Sequence, residues 1–546
     1  MKLIQELRVP YQKDPDLKTL VSKHLGIDNK KIQNIRVKKR SLDARNQKKL
    51  IWVFSLEVYL EGDALEETHL EFPKINWKGP PPLIIGAGPA GLFAAHTFLA
   101  HGIKPILFER GERTHARMLK ISKYWRQGIL DEDSNVCNGE GGAGTFSDGK
   151  LITRIKSPLI QHVMQTFVSY GAPEEITYVY NPHVGSNLIR EVIRKMSDDL
   201  IARGADLRFS TRVESLDLHK NQVQGVYTSP SSPSRGEGEK IEGTGLILAC
   251  GHSAGSFFHT LHQQGIHFEA KDFALGLRIE HPQKYINQWQ YGKACELADL
   301  ETAQYKLQTY WEKEEIGVYS FCMCPGGYVI SSTTDPETIV VNGMSNYHRN
   351  SPWANAAIVC SVSKERVAGE DPFKLMKFQR EIERKVYEAS VKNGNGRQIP
   401  AQRLEDFLLG VSPPAPPLKL PHRGPLGRGG RVGINNKVSS CPSGIVSANL
   451  KELIPDWIYQ HLSEAFLEFE NKRKGFAYPD AILHAVESRT SSPVRITRDP
   501  ETYESISTQG LFPCGEGPGY AGGITSAAVD GIKAALAWIQ KFAFQK

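Results

Sequence analysis

The residues best placed to do chemistry are the glycines of Gly86-Ala87-Gly88-Pro89-Ala90-Gly91 and the acid Glu109. Their G-x-G-x-x-G spacing suits a dinucleotide. Gly86 permits a tight turn, Gly88 lets backbone approach a pyrophosphate, and Gly91 lets the next helix pack close to a sheet. Pro89 and Ala90 begin that helix, whose N-terminal N–H groups and positive dipole end would face the phosphates. Glu109 can accept hydrogen bonds from both ribose hydroxyls and would repel a 2′-phosphate; Arg110 beside it is a further candidate contact. The competing reading is a plain glycine-rich turn, and the surrounding elements argue against it. Leu83, Ile84 and Ile85 read as the end of a buried strand. Leu92, Ala95, Phe98 and Leu99 read as a helix, and Pro105 to Phe108 as a second strand ending at Glu109.

The fingerprint alone does not separate NAD from FAD. FAD is an extended molecule, so its far half needs contacts from outside the first βαβ unit. Leu511 to Pro513 closes a strand ahead of Gly515-Glu516-Gly517, and Gly523 and Ile524 open a helix. That arrangement would place Glu516 at a ribityl chain and the helix N-terminus at a flavin's electron-rich pyrimidine edge. A strand ending in Ala249-Cys250-Gly251 suits the second crossing of a flavoprotein sheet, which adds Gly251 to the candidates. Only about one helix of chain follows Gly519, with no further strand-tip acid, so a second nucleotide fold is not expected there. The expected cofactor is therefore FAD, bound non-covalently.

The flavin would carry the hydride or electron pair, leaving few residues as candidates for catalysis. Cys322 and Cys324, two apart on an expected strand, should project from one face, as a redox pair or as buried thiols. His183 precedes an expected helix and reads as structural or as an acid–base group. Arg489 and Arg495 could clamp a substrate carboxylate or pair with a neighbouring acid.

A chain of 546 residues is too long for one ordinary core, so two or three domains are expected. No apolar run reaches transmembrane length, and the N-terminus MKLIQELRVPYQKD lacks a signal-peptide apolar region. The eight cysteines form no C-x-x-C and no zinc spacing, which suits a reducing cytosol without a structural metal. A cytoplasmic protein is expected. The net charge is +7, and residues 1–80 carry 16 Lys/Arg against 11 Asp/Glu, densest over residues 30–49. That stretch could bind RNA or an acidic partner, although a solvated face is the plainer reading.

Residues 1–78 read as a small basic α+β domain of ferredoxin-like type. Its strands are expected at Leu3 to Val9, Ile32 to Val37 and Ile51 to Leu60, with a helix at Asp16 to Leu25 closed by Gly26. Gly79-Pro80-Pro81-Pro82 stiffens a linker. Further on, a helix is expected from Ser186 to Arg203, then strands at 207–209, 213–218 and 223–227, and a loop at Ser229 to Glu239. Mostly strands are expected from Asp272 to Val341. Helix is expected from Ala354 to Asn393, with Pro372 opening one segment, then a stiff connector at Ser412 to Pro417 and a final helix from Ile524 to about Lys541.

Several long motifs carry a resemblance: GEGGAGTFSDGKL (139–151), FALGLRIEHPQ (273–283), CMCPGGYV (322–329), VNGMS (341–345), ESRTSSPVRI (487–496) and CGEGPGYAGGITSAAVDG (514–531). With the fingerprint, they resemble bacterial FAD-utilising dehydrogenases without an assigned substrate, within the glutathione-reductase-type flavoprotein class. The resemblance spans nearly the whole chain. It implies an α/β architecture: a Rossmann-like FAD-binding domain in two parts, 80–275 and 485–546, with an α+β substrate domain, 276–484, inserted between. It also favours Gly141, Gly142, Ala143 and Gly144 as cofactor contacts rather than a flexible loop, and Val213 as a backbone contact near the adenine. Two departures stand out. Residues 89–136 lack the cysteine pair of the disulfide reductases in that class, and Glu516 stands where many members have Asp. The expected activity is hydride transfer between a small organic molecule and FAD, with external NAD(P)H or a protein as electron donor. The alternative is a FAD-containing RNA- or protein-binding or modifying protein that uses the basic N-terminal domain.

Overall fold

The computed structural model describes residues 1–64, 72–229, 238–297, 300–411, 439–478 and 480–544. The Pro-rich run 412–417 and most of the loop expected at 229–239 lie outside them.

One half of the molecule is built on a five-stranded parallel sheet. In spatial order its strands are Leu511–Pro513, Leu246–Leu248, Leu83–Ile85, Ile106–Phe108 and Asp206–Arg208. The inner strands are short unbroken apolar runs because both faces are covered. Helices Pro89–Ala100 and Ile524–Phe542 cover one face and pack on each other so tightly that a Cβ added at Gly531 would come 2.0 Å from the Ala90 oxygen. From Leu83–Ile85 the chain proceeds to one side, then returns to Leu246–Leu248 on the other. Such a reversal opens a crevice at the carboxyl ends of the two adjacent strands.

The second large sheet has seven strands, in the order Gln308–Trp311, Ile316–Cys324, Trp353–Val362, Phe273–Pro282, Ile482–Glu487, Ile399–Arg403 and Ile445–Ser447. Phe273, Leu275, Leu277 and Ile279 point from one face into a core shared with helices Lys374–Asn393 and Asp456–Lys472. The opposite face carries Ala274, Ala357 and Val359, flanked by the partly exposed Tyr319 and Phe321.

The helix expected over 354–393 is found only in its second half. Trp353–Val362 is a central strand, and the helix runs only over Lys374–Asn393, two residues beyond Pro372. Eight of the strand's ten residues are buried and the other two half-buried, which removes the alternation that would have marked it. A helix, Gln283–Tyr291, also interrupts the stretch expected to be mostly strand.

Residues 1–64 form strand Lys2–Pro10, helix Leu17–Leu25, and strands Ile32–Asp43 and Ile51–Leu60, with the last strand central and antiparallel to both others. This is the split β-α-β arrangement of half a ferredoxin-like unit; apart from a 3-10 turn at Asn29–Lys31, no second helix or fourth strand occurs among these residues. Asp16 caps the helix start through the Thr19 N–H, and Gly26 closes it in the left-handed conformation. The middle strand overruns its expected end by six residues because it continues into a contact with the parallel-sheet half. Arg40 N–H donates to the Tyr178 oxygen and Tyr180 N–H to the Arg40 oxygen, both at 2.8 Å. No helix among the described residues is long and apolar enough to cross a membrane.

Candidate functional site

The carboxyl ends of four strands meet at the crevice. Gly86 N–H donates to the Phe108 oxygen at 2.8 Å, Ala249 N–H to the Ile85 oxygen at 2.9 Å and Cys514 N–H to the Leu248 oxygen at 3.0 Å, so the ladder continues into the loops. The glycines around it divide into two kinds. A Cβ at Gly91 would lie 1.9 Å from the Gly86 oxygen, at Gly86 2.5 Å from the Ala249 oxygen, and at Gly517 1.9 Å from the Cys250 oxygen. These three let backbone meet backbone. At Gly88, Gly251 and Gly522 an added Cβ would meet nothing within 4 Å. Those three border open space, a cradle of the kind a diphosphate needs.

Glu109 is buried, and three backbone amides donate to it at 2.9 Å each: Ala87 to Oε2, and Gly111 and Gly139 to Oε1. A carboxylate accepts about four hydrogen bonds, so one position on Oε2 is left for a ribose hydroxyl rather than the two expected. Arg110 is tied to Asp133 through Nε and Nη2 at 2.8 and 2.6 Å. Val213 opens the strand Val213–His219, its side chain buried with Ile85 and Phe108 near Glu109.

The loop 139–144 lies between the fingerprint and the last helix. Gly141 N–H donates to the Ala87 oxygen at 2.8 Å; an added Cβ at Gly142 would lie 3.2 Å from the Gly88 Cα, and one at Gly144 2.9 Å from the Ile524 side chain. What holds this loop is Arg117, a residue sequence reasoning missed. Fully buried on helix Thr114–Gln127, it donates to the carbonyls of Asn135, Val136 and Glu140 at 2.7 Å and of Gly142 at 2.9 Å. Carbonyl partners carry no sequence signature. The one available hint was an arginine in an otherwise ordinary helix, eight residues after a strand-tip acid.

On the C-terminal side, Asp530 accepts from the Gly515 N–H at 2.8 Å and pairs with Arg498 through both carboxylate oxygens. That ties the loop after Leu511–Pro513 to the helix following it. Gly515 rests against Ala90, 3.0 Å from an added Cβ. The Glu516 side chain is half-buried and takes no hydrogen bond among the described residues; burial pushes its carboxyl up to about 7, with Lys271 pulling the other way.

The catalytic candidates fare differently. The His183 Nε2–H faces the Tyr347 oxygen at 3.0 Å, and burial holds the imidazole below its ordinary pKa. The turn carrying Tyr347 is seated on this region, with Tyr347 N–H donating to Asn187 at 2.8 Å and Arg349 and Ser345 bonded to the buried Asp148. His183 therefore fastens one half of the molecule to the other. Cys322 and Cys324 do not share one strand face as alternation predicts. Phe321 pairs with Ala357 and Cys324 with Asn355, so the intervening bulge, with Cys322 at φ +45°, breaks the period. Burial raises both thiols, Cys324 to about 12. Arg489 is spent on Glu383 (3.3 Å), Asp335 (3.1 Å), Ser253 (2.9 Å) and Thr334, which answers its open choice in favour of neighbouring acids. Arg495 lies over the Tyr520 ring at 5.5 Å. No cluster of three or more His, Cys, Asp or Glu able to hold a metal occurs among the described residues.

The basic N-terminal stretch is partly consumed by the fold. Lys38 and Arg36 reach Glu57 at 3.1 and 3.7 Å, Arg40 reaches Glu175 at 3.5 Å, and Lys39 lies over Tyr180.

A family model described as FAD-dependent protein, C-terminal domain-like, matches residues 272–419 and 429–490, and a domain of unknown function (DUF8436) matches residues 1–59. An uncharacterized protein of Clostridium beijerinckii is 36% identical over 553 residues, covering 98% of each chain. Solved structures similar to the chain include the flavin-dependent brominase Bmp2, at 12% identity over 86% of this chain and 80% of that one, TM-score 0.36. CtdE in complex with FAD is 13% identical over 84% of both chains, TM-score 0.30. A geranylgeranyl bacteriochlorophyll reductase-like protein of Thermoplasma acidophilum is 13% identical over 84% of this chain and 78% of that one, TM-score 0.32. The chain belongs to one family with its Clostridium relative, its residues 272–419 and 429–490 match the C-terminal domain of FAD-dependent proteins, and FAD is its cofactor.

Proposed function

We propose that the protein is an FAD-dependent oxidoreductase whose cofactor lies along the crevice at the carboxyl ends of the parallel sheet. The observation that carries this reading is the meeting of three separate glycine loops, 86–91, 139–144 and 515–523, around the open space bordered by Gly88, Gly251 and Gly522. In it the amides at the start of helix Pro89–Ala100 hold the diphosphate, Glu109 takes a ribose hydroxyl, and Arg110 and Val213 flank the adenosine. Glu516 faces the ribityl chain, and Gly523 and Ile524 present the last helix's N-terminus to the ring. When bound, FAD supplies acceptance of a hydride from an organic substrate. The chain's part would be to grip the cofactor through these loops and to present the substrate from the domain built on the seven-stranded sheet. We assign the FAD-binding domain to residues 80–272 and 488–546 and the substrate domain to 273–487, since the expected boundaries at 275 and 484 would cut through strands Phe273–Pro282 and Ile482–Glu487 of one sheet.

The purified protein should be yellow, bleach with dithionite under argon and recover its colour with an electron acceptor. Protein that carries no flavin and takes up none when FAD is added defeats the proposal.

A further inference from the structure

Helix Thr114–Gln127 buries a full positive charge that the proposed function leaves unused. All four hydrogen bonds of Arg117 go to neutral backbone carbonyls, and its guanidinium lies over the Phe146 ring at 4.8 Å. The nearest acids are committed elsewhere: Glu109 to three amides, Glu140 to the Thr114 N–H at 2.7 Å and to Arg113. Burying a cation against carbonyls alone is costly, and in that setting its field reaches well across a loop.

The loop is shaped to this side chain. A Cβ at Gly139 would come 2.4 Å from the Arg117 Cδ. A peptide that turns its oxygen toward Arg117 turns its N–H the other way. For the Gly142 carbonyl, the far end of the peptide is the Ala143 N–H, which has no backbone acceptor among the described residues. Gly142 also packs on Gly88, the fingerprint glycine that borders open space.

We propose that Arg117 is a positioning residue for the diphosphate of FAD: it fixes and polarises the Gly142–Ala143 peptide so that the Ala143 N–H meets the phosphates with a buried cation behind it. This rests on the crevice being the FAD site. The role differs from that of a simple structural tie, because it discriminates phosphate-bearing ligands from others.

The test uses flavin-free full-length protein titrated with ADP and with adenosine by calorimetry. Arg117→Met should weaken ADP by roughly ten-fold or more, the worth of one charge-assisted hydrogen bond, and leave adenosine within about two-fold. Arg117→Lys, which keeps the charge, should recover most of the preference for ADP. Equal losses for both ligands, or unchanged ADP affinity, overturn the proposal. Should Arg117→Met not fold, hydrogen exchange of the wild-type peptide 137–146 decides: ADP must protect it more than adenosine does, and equal protection overturns the role. Wild-type protein that binds no FAD defeats the cofactor-site reading itself, a result distinct from either.

Discussion

Replacing Glu516 by Gln should stabilise the flavin-free protein at alkaline pH and leave it unchanged at acid pH. The side chain is half-buried without a hydrogen-bond partner among the described residues, and its carboxyl titrates near 7 instead of at its ordinary 4.5. The folded chain thus keeps this proton over a range in which the unfolded chain has lost it. Stability from this group is present in full below the unfolded pKa and drains away as pH rises through about 7. A pKa change of one is worth about 1.4 kcal/mol, so the full penalty at pH 8 is about 3 kcal/mol, trimmed to about 2 kcal/mol by solvent reaching part of the side chain. Glutamine keeps the shape and carries no charge to desolvate. Urea denaturation of the two flavin-free proteins at pH 5 and pH 8 reads the difference directly. Curves that differ equally at both pH values, or coincide at pH 8, refute the burial argument.

Gly88→Ala should melt with the wild type yet bind FAD at least ten-fold more weakly, whereas Gly91→Ala, whose Cβ would lie 1.9 Å from the Gly86 oxygen, should lose about 3 kcal/mol of stability; thermal melts and flavin fluorescence titration separate the two. Glu109→Gln must turn an amide NH2 toward one of three backbone N–H donors, so a loss of about 2 kcal/mol with weaker FAD retention is expected in denaturation and dialysis experiments. Arg489→Met leaves Glu383 buried without its cation and should cost about 3 kcal/mol in the same denaturation assay. His183→Gln should leave the pH profile of substrate turnover unmoved, since the imidazole bonds a carbonyl and fastens two parts of the molecule.

The glycine-lined crevice was legible because its requirements are written in residue types. A strand, three glycines at fixed spacing and an acid at the next strand tip can be read in a line, and so can the Gly515–Ile524 return. The strand Trp353–Val362 was not, because its Ala-rich start favours helix and its two-sided burial erases the period-two pattern. The bulge at Cys322 has no residue signature at all; only its pairing with Ala357 and Asn355 discloses it. His183 and Arg489 were ambiguous for a different reason. Their partners, the Tyr347 carbonyl and Glu383, lie more than 100 residues away, and sequence spacing is silent about such meetings.

The outermost strand of the parallel sheet, Leu511–Pro513, pairs with Leu246–Leu248, so a ribosome must add more than 260 further residues before that edge is covered. Until then a nascent chain presents a bare apolar rim able to stick to its neighbours. On the proposed reading, cofactor capture waits for residues 511–524, and truncation upstream of them should yield insoluble, colourless protein.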